Sequence, residues 1–208
     1  MATLTAKHLE HGEPAELTPP DFSDILAARR RILGHVERTS SRNYPAIDRL
    51  AGVEVWVKHE NFQVTGAFKI RGGINLVSRL TEGERARGVI AASTGNHGLS
   101  VVTAAQRFGV AATICVPEAA NPSKVAAIRG TGAKVVHHGV DFNEAVDHAE
   151  SLATEHSLRY IHSGDEPLLI AGVATMTLEI FEGPAGRRPG PGSGRRWIRG
   201  CRRDHRTR

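Results

Sequence analysis

The sequence predicts an α/β fold, a parallel sheet wrapped by helices. Three observations predict it. From residue 89 onward short strand-like runs alternate with helical stretches, strands over 89–92, 111–116, 134–137 and 159–162 and helices over 95–108, 122–129, 142–156 and 167–181. Glycine and proline punctuate the alternation: Gly109 and Gly130 follow helices, Pro117 follows a strand, and Pro122 and Pro167 open helices. At this spacing successive strands must run parallel, joined by helical crossovers.

Ahead of residue 89 the pattern is looser. Residues 1–20 are polar and end in Pro19-Pro20, an irregular arm. Over 21–37, Ile25, Leu26, Ile32, Leu33 and Val36 recur at helical spacing, with Asp21 or Ser23 as N-cap. The β-branched run 53–57, with Trp56, predicts a strand, and Thr65 is placed to cap a helix over about 67–79. In parallel sheets ligands gather at the carboxyl ends of strands, against helix N-termini. That directs attention to the turn between Ala92 and Gly95.

Composition narrows the class. With 208 residues the chain is one domain or a tight pair of subdomains, and 40% apolar residues suffice for a core. No run of 18 apolar residues occurs, so no membrane span is expected. Residues 1–11 lack a basic-then-apolar pattern, which makes the cytoplasm the expected compartment. Cys115 and Cys201 form neither a disulfide framework nor a metal-ligand spacing, and Cys115, in the apolar run 111–116, is expected to be buried. The net charge of +5 is unevenly placed: residues 183–208 hold nine Arg against one Asp, and residues 1–182 carry 18 basic and 21 acidic groups. A basic tail can bind phosphate backbones, yet the body is mildly acidic, and neither a nucleic-acid nor a membrane partner is expected.

Two segments carry chemistry. In Asn61-Phe62-Gln63-Val64-Thr65-Gly66-Ala67-Phe68-Lys69-Ile70-Arg71-Gly72-Gly73 a lysine falls in the first turn of a helix, where a cation is electrostatically disfavoured. A lysine in such a place serves better as a nucleophile toward a carbonyl. In Ala92-Ser93-Thr94-Gly95-Asn96-His97-Gly98 a strand turns into a helix, with Ser93 and Thr94 as natural N-caps and free N–H groups suited to a carboxylate or phosphate. Taken singly, Lys69 is an ordinary helix lysine, the turn an ordinary cap and His97 a structural histidine. His137, His138 and His162 are read as surface or strand-end residues with no role.

In order and separation, these segments resemble the fold-type-II pyridoxal-phosphate family of threonine dehydratase, serine dehydratase and serine racemase, and more distantly cysteine synthase and the tryptophan synthase β chain. The resemblance runs from about Pro45 to Glu182. It also takes in Lys58-His59-Glu60-Asn61, Val116-Pro117-Glu118, Asn121-Pro122-Ser123-Lys124, Glu166-Pro167 and Ile170-Ala171-Gly172. It implies a tryptophan synthase β-like, two-lobe parallel-sheet architecture. Residues 1–88 and 163–182 would form an incomplete large (cofactor) lobe, residues 89–162 the small lobe, and residues 183–208 a non-native, disordered tail. The resemblance further implies pyridoxal 5'-phosphate as cofactor and no metal. Lys69 would bear the cofactor and take the substrate's α-proton, Phe68 would pack on the ring, and Asn96 would bond the cofactor's 3′ oxygen. Ser93, Thr94, Gly95, Asn96 and His97 would hold the carboxylate of a small amino-acid substrate. The implied reaction dehydrates and deaminates threonine or serine to a 2-oxo acid and ammonia. Racemisation, β-replacement and a non-catalytic fragment are the alternatives, and Thr94, where racemases of the family carry serine, weighs against the first. A homo-oligomer is implied for the full-length family.

The tail departs from the family, whose chains continue with a strand and a glycine-rich loop for the cofactor phosphate. Read from the second base of each codon, Trp197 followed by Ile198 gives glycine without choice, and the neighbouring codons permit Pro-Val-Gly-Gly-Gly-Ser-Gly-Ala. A frameshift near Glu182 that truncates a longer enzyme is therefore expected. The coding DNA over codons 180–200 checks this. The +1 frame should stay open well past codon 208, and a stop in it within a few codons of 200 excludes a frameshift.

Overall fold

The computed structural model describes residues 18–183. Most of the polar arm and the Arg-, Gly- and Pro-rich stretch after Gly183, on which the expectation of a frameshifted, disordered tail falls, lie outside the described residues.

Helix α1 (Phe22–Ile32) starts at Asp21, whose carboxylate accepts from the Asp24 N–H while Asp24 reaches back to the Asp21 N–H. It stops five residues before the predicted end, because Leu33 takes an extended conformation and Gly34 has φ +78°. A small antiparallel ribbon follows, β1 (Ser41–Asn43) with β2 (Trp56–Lys58), enclosing α2 (Pro45–Ala51). The strand thus starts three residues and ends one residue later than the predicted 53–57. The Asp48 carboxylate accepts the Val55 N–H, and Val53 is exposed. A 3-10 turn, Glu60–Phe62, leads to α3 (Lys69–Val77). Thr65 does not cap this helix: its hydroxyl donates to the Ala67 carbonyl, Gly66 turns at φ +68°, and the helix starts later at Phe68 without a side-chain cap. The short α4 (Glu82–Arg87), absent from the sequence reading, is closed by a Thr81–Glu84 capping box.

The predicted alternation then appears as β3 (Val89–Ala92), α5 (Asn96–Arg107), β4 (Ala112–Val116), α6 (Pro122–Arg129), β5 (Lys134–His137), α7 (Phe142–Glu155), β6 (Arg159–Tyr160) and α8 (Pro167–Glu182). All four strands are parallel, in the order β5-β4-β3-β6. The chain steps outward from β3 to β5 and then returns to the far side of β3. The order therefore reverses between β3 and β6, and the crevice at their carboxyl ends is where such sheets bind ligands. Alternate residues face opposite layers. Val89, Ala91, Ile114 and Val116 join the core with α3 and α5, while Ile90, Ala92 and Cys115 pack with Ala149 and Ala153 of α7. Cys115 is fully buried, as expected.

Helix α3 lies between α5 and α8. A Cβ on Gly73 would stand 2.4 Å from Ser100 Oγ of α5, one on Gly72 2.8 Å from the Leu169 carbonyl, and one on Gly172 2.5 Å from the Arg71 carbonyl. The paired glycines of the lysine segment let two helices approach a third directly.

Beside that crossing lies a buried ion cluster. Arg71 is 0% exposed. Its Nε and Nη2 each donate to Glu60 at 2.8 Å, and Nη1 and Nη2 donate to Glu179 at 2.8 and 3.0 Å. Nη2 also meets the Glu37 carbonyl and Nη1 the Thr175 hydroxyl. Burial alone would push the Glu60 carboxyl up, but hydrogen bonds from Arg71 and Thr39 outweigh it and hold the carboxyl below the usual carboxylate value. Lys58 pairs with Glu179, so two cations face two carboxylates. Removing one member strands the others. Arg71→Met should cost about 3–5 kcal/mol. Gly172→Ala should cost about 1–3 kcal/mol, the overlap with backbone atoms outweighing the gain in helix propensity. Urea melts of both variants check the order; an Arg71→Met protein as stable as wild type contradicts it.

Candidate active site

The crevice predicted by the strand order holds a cavity of about 370 Å³, lined by Phe68, Lys69, His97, Ser163, Gly164, Leu169, Ile170, Val173, Ala174 and Thr177. Its polar groups come from α3, α5 and the residues after β6. Lys69, the first residue of α3, donates from Nζ to the Ser163 carbonyl at 3.3 Å. Ser100 of α5 donates to the Lys69 carbonyl at 2.7 Å, fixing the backbone that carries this amine. His97, in the first turn of α5, is 5% exposed and meets the Ile161 carbonyl through Nε2 at 3.3 Å. A carbonyl only accepts, so Nε2 carries the proton and Nδ1 is bare. Burial, reinforced by the nearby Lys69 charge against the hydrogen bond to Ile161, pushes His97 down to about 4, and the ring is neutral at pH 7.

The turn before α5 is built differently from the sequence expectation. Gly95, not Ser93 or Thr94, is the N-cap residue. Ser93 is buried, and its hydroxyl accepts from the Gly98 N–H at 2.8 Å and the Gly95 N–H at 3.2 Å, capping the helix from two residues upstream. The N–H groups of Asn96 and His97 have no intrahelical acceptor by position. Thr94 and Asn96 are exposed on this turn. A Cβ on Gly95 would lie 3.8 Å from Lys124 Nζ of α6, which places a cation over the turn. Phe68, Lys69 and His97 therefore share one cavity, whereas Ser93, Thr94, Gly95 and Asn96 form the adjoining turn and are not among its lining residues. Sequence reasoning includes Lys124 within a motif but gives it no role. It passes over Ser163 and Gly164, which follow a strand end without a signal of their own, and includes Leu169 and Ile170 of the apolar wall from α8 only within a matched segment, without a role. Among the described residues no group of three or more His, Cys, Asp or Glu is placed to hold a metal ion, and no helix is long and apolar enough to cross a membrane.

Comparison with known proteins gives the geometry its context. The family model described as pyridoxal-phosphate dependent enzyme matches residues 32–188. The L-threonine ammonia-lyase of Thermotoga maritima is 42% identical over 161 residues, which is 77% of this chain and 40% of that protein. Among solved structures, the processed form of threonine deaminase isoform 2 from Solanum lycopersicum superposes with a TM-score of 0.70 at 31% identity, covering 84% of this chain and 54% of that one. Serine racemase from Dictyostelium discoideum gives 0.73 at 36% identity, covering 78% and 53%. The chain spans about half the length of the relatives it matches. Its sheet and helices are those of the fold-type-II architecture. With the lysine of α3 and the turn of α5 meeting where the strand order reverses, and the family's pattern running through both, the chain belongs to the pyridoxal-phosphate dependent enzymes.

Proposed function

We propose that the protein from which this fold derives dehydrates and deaminates threonine or serine to a 2-oxo acid and ammonia, with Lys69 as its cofactor-bearing residue. The observation that carries this reading is the position of Lys69. Its primary amine opens a helix at the edge of a largely apolar cavity, with a backbone carbonyl as its polar contact. Relatives named as threonine ammonia-lyases and dehydratases support the choice of reaction. In this reading residues 89–162 form a small lobe, and the remaining described residues belong to a larger one.

The residues present fit the cofactor in one respect and are bare in another. Phe68, Leu169, Ile170 and Val173 offer apolar walls for a flat ring beside the Lys69 amine. No cation other than Lys69 lines the cavity, so among the described residues the cofactor's phosphate has no charged partner there. When bound, pyridoxal phosphate supplies the electron sink that makes the amino acid's α-proton removable. Lys69 Nζ would hold the cofactor and would move that proton. The N–H groups of Asn96 and His97, with Thr94 beside them, would receive the substrate carboxylate at the α5 N-terminus, and Asn96 would hydrogen-bond the cofactor's 3′ oxygen. His97 contributes its backbone N–H rather than charge, because its ring stays neutral and its Nε2–H is committed to Ile161.

Two outcomes follow. Borohydride reduction with pyridoxal phosphate should label residue 69 in the 208-residue chain, weakly for want of a phosphate anchor, and Lys69→Ala should abolish the label. Labelling at another lysine with Lys69 intact contradicts the assignment. His97 gives a pH dependence. Its folded value lies below the ordinary 6.5, so the unfolded chain binds the extra proton. Stability should be full above pH 6.5 and fall as pH drops toward about 4, by about 3 kcal/mol in all. His97→Gln, which keeps a donor but cannot titrate, should flatten that part of the profile in denaturant melts at stepped pH.

A further inference from the structure

Two side chains of the cavity, borne by different helices, lean on one short stretch of backbone after β6. His97 Nε2 donates to the Ile161 carbonyl and Lys69 Nζ to the Ser163 carbonyl, both at 3.3 Å. His162 lies between those two carbonyls in sequence. Its Nδ1 accepts from the Gly164 N–H at 3.2 Å and from the Asp165 N–H at 2.7 Å. The Glu166 N–H then donates to the Gly164 carbonyl at 3.0 Å, and α8 begins at Pro167. The imidazole does for this turn what an Asn or Asp side chain does for many others.

We infer that His162 is a positioning residue. Its bare Nδ1 holds the turn over residues 163–165, and through it the Ser163 carbonyl against which Lys69 Nζ rests. This rests on the reading of Lys69 as the cofactor-bearing residue. The groups that face the ring are Asp165, whose Oδ2 is 3.8 Å from Nδ1, Tyr160, whose ring meets it edge-on at 6.5 Å between centroids, and His97 and Lys69 across the cavity. Burial holds His97 neutral down to about 4 and pushes the Tyr160 phenol up to about 12.

Amide hydrogen exchange at Gly164 and Asp165, in the full chain without cofactor and corrected for intrinsic rates, tests the cap. The wild type should exchange roughly tenfold more slowly than His162→Ala, the loss expected for two backbone hydrogen bonds. His162→Asn, whose Oδ1 accepts in place of Nδ1, should keep the protection. Equal exchange in wild type and His162→Ala overturns the proposal, as does a His162→Asn no better protected than His162→Ala. Borohydride trapping of pyridoxal phosphate tests the link to Lys69. It should fall several-fold in His162→Ala and be preserved in His162→Asn. Trapping unchanged in His162→Ala breaks the link and overturns the proposal. If Lys69 is trapped in no variant, wild type included, the reading of Lys69 fails, and the exchange experiment still decides the cap.

Discussion

The described structure depends on one buried guanidinium. Arg71 has no exposed surface, and a charge taken so far out of water is tolerable only when its donors are met. Glu60 precedes it by 11 residues and Glu179 follows it by 108, so meeting them fixes the 3-10 turn and α8 on either side of α3. Lys58 balances the second carboxylate, and Thr39 and Gln63 take up oxygens on Glu60. Lys69 sits two residues before Arg71 on the same helix, so its backbone is set by this cluster, by the glycine contacts and by the Ser100 bond.

The parts of the fold legible in the sequence are those with local causes. The bounds of β3, α6 and β5 are legible to the residue. Val89 to Ala92 is apolar on both faces, and α6 has Asn121 and Pro122 at one end and Gly130 at the other. Where a distant partner decides, the reading slips. The strand at Trp56 takes its register from Ser41–Asn43, a polar triplet with no strand signature. The apolar period of α1 continues to Val36, which does pack on the core, but from a turn rather than a helix. The Arg71 cluster joins residues 37, 60, 71 and 179, and no spacing rule links them.

The candidate site divides the same way. The lysine segment and the Ser93–Gly98 turn are visible because each breaks a local expectation: a cation opening a helix, and a glycine-rich passage from strand to helix. Their meeting follows from strand order, which sequence alternation does not reveal. The wall supplied by residues 163–164 and by α8 is not legible, nor is the role of His162, an unremarkable histidine at a strand end until its ring nitrogen is seen to face two backbone N–H groups.

The returning strand β6 has a consequence in time as well as space. Lys69 and the carbonyl it rests on are 94 residues apart, and β3 waits through three crossovers before the neighbour on its other side exists. Contacts of such separation come late, after the nearer strand pairs have repaid their own loop closures. On a chain emerging from the ribosome the helix that bears the amine is present long before the backbone that completes its pocket. The candidate cavity is among the last features assembled, and a destabilised chain that loosens from its carboxyl side loses the pocket while most of its sheet still stands.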